Sequence, residues 1–265
     1  MFKMLSVPRQ SILGTCPSCK AAIGPSTDVC ARCGWRFSPS LTFKGDPGTP
    51  GRTFVPASRP RVPVKVQLAI EVDRTGSSGA FKAGIQNSVE IITEQVEKKA
   101  SALVVWVGTH GDLDYDERWA LLSDGKAGAQ ARRDVSGITY GGGGDVEEHH
   151  LDGIATLLET VPWDLSSGFS RCLVAFLTAD TKPARCGVTP RSLGASFKAK
   201  GVSLHLVCEA TPALDELVAA ACGLRFLISN NPSVSELQRV AAQVAASVVA
   251  RTMAGGTKPL LSVAP

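Results

Sequence analysis

The stretch Val64-Lys65-Val66-Gln67-Leu68-Ala69-Ile70-Glu71-Val72-Asp73-Arg74-Thr75-Gly76-Ser77 decides the fold. Val64, Val66, Leu68, Ile70 and Val72 recur at every second position, the period of a strand. Asp73-x-Thr75-x-Ser77 follows where the strand stops. Phe81, Ile85, Val89, Ile92 and Val96 then take up a helical spacing that runs to Lys98. In open α/β sheets, ligands bind at the carboxyl ends of strands. One carboxylate and two hydroxyls presented there make a small oxygen-rich pocket, and hard cations such as Mg²⁺ take oxygen ligands. Alone the pattern is weak, because short Asp/Ser/Thr/Gly runs are mostly turns or helix caps.

The rest of the chain repeats the alternation. Ala102 to Val107 and Cys172 to Leu177 are short apolar strands, as are Val202 to Val207 and Leu224 to Ile228. Trp119 to Leu122 predicts a further strand, closed by a turn at Ser123-Asp124-Gly125. Helices are predicted from about Asp145 to Leu158, over Ser192 to Lys198, and over Ala213 to Ala221. Ser233-x-x-Glu236 is a capping box opening a long last helix that carries Leu237, Val240, Val244 and Val248. Strands alternating with helices predict an α/β fold: a doubly wound, mostly parallel sheet with helices on both faces. No Gly-x-Gly-x-x-Gly follows the first strand, there is no P-loop, and there is no Gly-x-Ser-x-Gly elbow.

Ahead of this domain, Cys16-Pro17-Ser18-Cys19 and Cys30-Ala31-Arg32-Cys33-Gly34 form two Cys-x-x-Cys pairs. Each bends two thiolates onto one cation, and together they suit a closed tetrahedral Zn²⁺ site. Trp35 and Phe37 can cover it. A redox role is the competing reading, but no βαβ pattern surrounds either pair. The expected organisation is a small amino-terminal zinc ribbon at 14–37, a Pro/Gly-rich linker at 38–62, the α/β domain at 63–252 and a tail at 253–265. Cys172 and Cys208 read as buried thiols.

The 265 residues carry a net charge of +4 that hides an asymmetry. Residues 1–65 hold ten Lys/Arg against two Asp/Glu, a balance of +8; the remainder stands at −4. Such a basic segment suits either a nucleic-acid-binding arm or a plain linker. No run approaches the ~18 apolar residues of a membrane span. Pro8 and Arg9 break the opening segment before it can form a signal-peptide core. The expectation is a cytoplasmic protein.

Two later stretches agree with the first. Gly141-Gly142-Gly143-Gly144-Asp145-Val146-Glu147-Glu148 lets the backbone pass close to something and places Asp145 as a cap, with Glu147 and Glu148 toward the positive end of the helix dipole. Capping explains the acids but not four glycines. Thr178-Ala179-Asp180 ends an apolar strand at the same edge of the sheet as Asp73.

In this order and spacing, the three motifs resemble a von Willebrand factor A (vWA) domain, over residues 64 to 250. Leu157 to Ala184 is similar to the subgroup containing hemicentin and the bacterial and amoebal kinase-associated members. The resemblance implies a metal-ion-dependent adhesion site (MIDAS). Asp73, Thr75 and Ser77 would hold Mg²⁺, Asp145 would take the second-loop position and Asp180 would complete the set. Thr139 is a weaker second-loop candidate. Ser78 stands where Met is frequent. Glu71 stands where an apolar residue is usual, and either faces a solvated edge or adds charge at the site. His149 and His150 are adjacent and cannot face one site together; with His110 and His205 they read as structural.

The resemblance further implies binding rather than turnover: a partner's Asp or Glu completes the coordination of the ion. It points to an adaptor in a bacterial multi-protein system, alongside a kinase, phosphatase or ATPase. The alternatives are nucleic-acid binding through residues 1–62, with Lys20, Arg32, Arg36, Trp35 and Phe37 as its surface, and a metal-assisted hydrolase. Against the hydrolase, no base or nucleophile is clearly placed beside Asp73.

Overall fold

The computed structural model describes residues 14–15, 22–23, 65–144, 146–166 and 168–253. The chain divides into two units, Met1–Arg59 and Pro60–Pro265. In the first, strands β1 (Gly14–Thr15) and β2 (Ala22–Ile23) pair antiparallel. Cys16, Cys19, Cys30 and Cys33, the linker and the tail lie outside the described residues, and so does Asp145.

The second unit is built on β3 (Lys65–Asp73), the expected first strand. It is buried on both faces, as a central strand of a parallel sheet should be. Its neighbours are β4 (Ala102–His110) on one side and β6 (Phe169–Phe176) on the other, both parallel to it. With β5 (Ala120–Lys126), β7 (Ser203–Cys208) and β8 (Leu224–Leu227), the sheet order is β5-β4-β3-β6-β7-β8. Only β5 runs antiparallel. The chain leaves β3 in one direction for β4 and later returns on the other side as β6. The crevice beyond the carboxyl end of β3 is therefore the topological switch point, where ligands collect in such sheets.

Helices cover both faces. Val66, Leu68, Ile70 and Val72 face α1 (Lys82–Glu97), α2 (Gly128–Ser136) and α6 (Val234–Met253). Ala69, Leu173, Ala175 and Leu177 face α3 (His150–Thr160), α4 (Pro190–Lys200) and α5 (Pro212–Ala221). Gly84 brings α1 onto α6: a Cβ there would stand 2.1 Å from a Leu237 methyl. Cys172 and Cys208 are buried thiols, and burial pushes Cys208 up to about 12.

Three expectations need correction. Ser123-Asp124-Gly125 is not a closing turn, because β5 runs through it to Lys126. Gly125 takes φ +60°, and the pairing with β4 shifts register nearby, so the turn residues make a bulge on an edge strand. Helix α2 is absent from the sequence reading: among its nine residues only Gly128, Ala131 and Val135 are buried, too short a stripe to show a period. Helix α3 begins at His150, not near Asp145. Glu148 cannot join it because its backbone is committed elsewhere: its N–H donates to Asp180 O (3.1 Å) and its carbonyl accepts from Lys182 N (2.8 Å). The capping box at Ser233 is half made. Ser233 Oγ accepts from Glu236 N, while the Glu236 carboxylate reaches Ser229 instead.

Candidate functional site

The site grows from the last residue of β3. Asp73 is wholly buried. Its Oδ1 accepts from the Thr75 amide (2.9 Å) and from Thr75 Oγ1 (2.7 Å), and its Oδ2 accepts from Thr178 Oγ1 (2.7 Å). Since each hydroxyl has one proton, those of Thr75 and Thr178 are spent on Asp73. Ser77 Oγ lies 3.0 Å from Thr75 Oγ1 and 3.2 Å from Thr178 Oγ1, and Ser78 Oγ lies 2.8 Å from Thr178 Oγ1. The hydroxyl dipoles thus run toward one carboxylate, leaving lone pairs on the far side. Burial opposes ionisation of Asp73, but the neighbouring His150 and His110 and the bonds from Thr178 and Thr75 outweigh it, so its pKa is lowered. Although Asp73 stands at the carboxyl edge of the sheet, it is no surface group whose loss would leave stability unchanged. Removing this buried acceptor strands three donors.

The first loop then leaves the strand. Gly76 donates to Gly142 O (3.2 Å), and Gly141 donates to Arg74 O (3.1 Å). A Cβ on Gly76 would stand 2.9 Å from Gly142 O. Gly142 and Gly143 take φ of +80° and +69°, and Gly143 donates to Glu117 Oε1 (2.9 Å). Gly141, Gly142 and Gly143 pass close to the Asp73–Ser77 loop and to Glu117. Ser77 is exposed, so the cluster opens to solvent there. Thr139 is also exposed.

The third loop adds Thr178, a ligand-type oxygen beyond the five residues that the resemblance implies. Ala179 sits in the left-handed region (φ +70°), which costs an L-residue roughly 1–2 kcal/mol. Asp180 is half-buried and turns Oδ1 onto the Thr181 amide (2.8 Å). The structure therefore brings Asp73, Thr75 and Ser77 together with Thr178. Among the described residues, Asp180 makes no hydrogen bond to that cluster.

Glu71 does not face a solvated edge. It is wholly buried, with Oε1 on His110 Nδ1 (2.9 Å) and Oε2 accepting from Trp119 Nε1 (3.2 Å). Burial raises its pKa against the pull of His110. Burial likewise opposes charging His110, and the Glu71 carboxylate outweighs it, raising the His110 pKa. His110 Nε2 meets His150 Nδ1 at 2.8 Å, and His150 Nε2 meets Thr178 O at 2.8 Å. Burial pushes His150 down to about 4. Glu148 is 1% exposed, and its Oε2 takes no hydrogen bond among the described residues. Burial, with the charges of Asp73 and Asp112, pushes its carboxyl up to about 8.

Beside this lies a second cluster. Asp112 Oδ1 accepts from Asp114 N (2.9 Å) and meets His149 Nδ1 at 2.9 Å. Lys182 Nζ bridges Asp112 Oδ2 (2.7 Å) and Asp114 Oδ2 (2.6 Å), and Arg185 holds the other oxygen of Asp114. Lys182 and Arg185 pull Asp114 down to about 2. Ligand atoms of Asp112, Asp114 and His149 lie within 4.8 Å of one another and could hold a metal ion; the Lys182 ammonium now bridges the two carboxylates. His149 and His150 do face different partners, as their adjacency requires, but both are buried.

No family model matches the chain, and no curated protein matches it. Among solved structures it is similar to the VWA domain of SpRpn10, with a TM-score of 0.51 and 14% identity, over 67% of this chain and 94% of that one. At that identity the likeness is one of fold alone. The second unit has a vWA-type fold. Among the described residues no helix is long and apolar enough to cross a membrane.

Proposed function

We propose that the chain is a metal-dependent protein-interaction module, an adaptor in a bacterial, cytoplasmic multi-protein system, and not an enzyme. The observation that carries this is the oxygen cluster Asp73–Thr75–Ser77–Thr178 at the switch point, open to solvent at Ser77. It fits Mg²⁺ by composition: all its donors are hard oxygens, and one is a carboxylate. Adjacent ligands of an octahedral Mg²⁺ with ~2.1 Å bonds stand ~3 Å apart; Thr75 Oγ1, Ser77 Oγ and Thr178 Oγ1 stand 3.0 and 3.2 Å apart. Hydrogen-bonded hydroxyls share that spacing, so the composition and the opening carry the argument. Asp73, Thr75 and Ser77 would hold the ion, with Asp145 and Asp180 completing its neutralisation, some of them through water. Bound there, the ion supplies an electrophilic position for a negative oxygen. The partner of this reading presents an Asp or Glu and belongs to a kinase, phosphatase or ATPase assembly.

The test is affinity capture from lysate with Mg²⁺ and with EDTA. A partner retained only with Mg²⁺ supports the reading; a partner retained equally in both sinks it. If retention instead drops steeply with salt and is lost on nuclease treatment, residues 1–62 bind nucleic acid.

Cys16, Cys19, Cys30 and Cys33 are proposed to hold one Zn²⁺ in a ribbon. Metal analysis of the purified chain should find close to one equivalent that survives dialysis, since such sites bind strongly. Less than about half an equivalent would remove the ribbon from the reading.

A further inference from the structure

Three fully or nearly fully buried titratable groups, Glu71, His110 and His150, form a continuous chain that the metal reading does not use. Its hydrogens can be assigned from its end inward. Thr178 O only accepts, so His150 Nε2 carries a hydrogen. In a neutral ring, His150 Nδ1 is then an acceptor, so His110 Nε2 must donate to it. One further proton lies between His110 Nδ1 and Glu71 Oε1. The chain thus has a fixed direction, from Glu71 through two imidazoles to the backbone of Thr178.

The fold is shaped to admit it. A Cβ on Gly108, inside β4, would stand 2.4 Å from Glu71 Oε2, and one on Gly153, inside α3, would stand 2.6 Å from the His110 ring. Two glycines in the interiors of regular elements mark where backbone yields to a side chain.

Its end point is the residue that joins the two halves of the site. Thr178 Oγ1 donates to Asp73, and its carbonyl accepts from His150. The next residue, Ala179, holds the left-handed conformation that turns Asp180 and Thr181 toward Glu148. We propose that Glu71, His110 and His150 are positioning residues: a buried relay that fixes the Thr178–Asp180 turn, and with it the third-loop oxygens, against Asp73. The importance for metal binding rests on the Mg²⁺ reading above; the fixing of the turn does not.

The experiment is amide exchange and Mg²⁺ titration on the full chain, for wild type, Glu71→Gln, Glu71→Leu and His150→Phe. Exchange is measured in EDTA at the Glu148 and Lys182 amides, which tie the third loop down. Gln can accept from Trp119 with its carbonyl and donate to His110 Nδ1 with its amide, so Glu71→Gln keeps every bond in the relay. It should match wild type. Glu71→Leu and His150→Phe should exchange at least about tenfold faster at those two amides, with Val174 and Leu206 in the core unchanged. Mg²⁺ affinity should fall about tenfold in the same two variants, the scale of lost outer-shell support. Nitrogen NMR of wild type should show His150 as the Nε2–H form. An Nδ1–H form, or wild-type exchange in both disrupting variants, overturns the relay; so does a Glu71→Gln chain as loosened as Glu71→Leu. If wild type binds no Mg²⁺ while the exchange pattern holds, the metal reading falls and the relay stands.

Discussion

Asp73→Asn should lower Mg²⁺ affinity by about 100-fold or more while leaving the domain folded. A hard cation held mainly by neutral hydroxyls depends on its few carboxylates, and a ligand's loss should exceed the 10–100-fold typical of outer-shell changes. Asp73 is the only carboxylate among the described residues bonded into the cluster. Asparagine suits the test better than alanine. Its Oδ1 keeps both bonds from Thr75. Its Nδ2 replaces an acceptor with a donor facing Thr178 Oγ1, which can then turn its proton toward Ser77 or Ser78, 3.2 and 2.8 Å away. Alanine would leave the buried Thr75 amide and two hydroxyls without an acceptor, at about 1–3 kcal/mol for each buried group that water fails to satisfy. Titration calorimetry with Mg²⁺ or Mn²⁺, beside a thermal melt, separates the two effects. Unchanged affinity in a folded Asp73→Asn protein would place the ion, and the partner, elsewhere.

How much of this could be read beforehand varies with the physics involved. The strand at Val66–Val72 and the helix after it announced themselves because a two-residue period and a 3.6-residue period each persisted long enough to see. Thr75 and Ser77 were legible because their roles are local, set within two and four residues of Asp73. The partner Thr178 is 105 residues from Asp73, and only the order of the sheet brings it there. Glu71 looked like an edge charge because a lone acid on an apolar strand usually is one. What buries it is supplied by three other elements or loops: His110 and the space left by Gly108 on β4, Trp119 before β5, and the space left by Gly153 on α3. Those two glycines were a signal in the sequence. Each interrupts a regular apolar element where a side chain would normally pack. The four glycines before Asp145 misled about the start of α3, since a glycine run followed by acids resembles a helix entry. Here Glu148 instead bridges Thr181 across the loops.

Lys182→Met should destabilise the domain by about 3 kcal/mol at neutral pH, the lower end for breaking a buried pair. Lys182 is 12% exposed and Asp112 not at all, so the ammonium neutralises a carboxylate that water cannot reach. The Asp114 amide and His149 still serve Asp112 Oδ1, which keeps the loss from being larger. A loss of this size lowers the melting temperature by roughly 5–10 °C in a domain of this length. Its pH dependence has a definite sign. Asp114 has a folded pKa depressed from 3.8 to about 2, with the hydrogen bond from Lys182 the first cause and that from Arg185 the next. Its stabilising share is present above the unfolded value and is lost as pH falls through about 2. The gap between wild type and Lys182→Met should therefore narrow from pH 4 to pH 2. The substitution also removes the cation that bridges Asp112 and Asp114, two of the three residues that converge with His149. Two carboxylates and an imidazole with an open position suit Zn²⁺ or Co²⁺. Either ion, at one hundred times its Kd, should return about 2.7 kcal/mol to the variant. Wild type should show little response at the same concentration. Melts of both proteins with and without Co²⁺, at two pH values, check each step. A variant as stable as wild type, or one the ion cannot rescue, would mean that the Lys182 ammonium is not standing where a cation belongs.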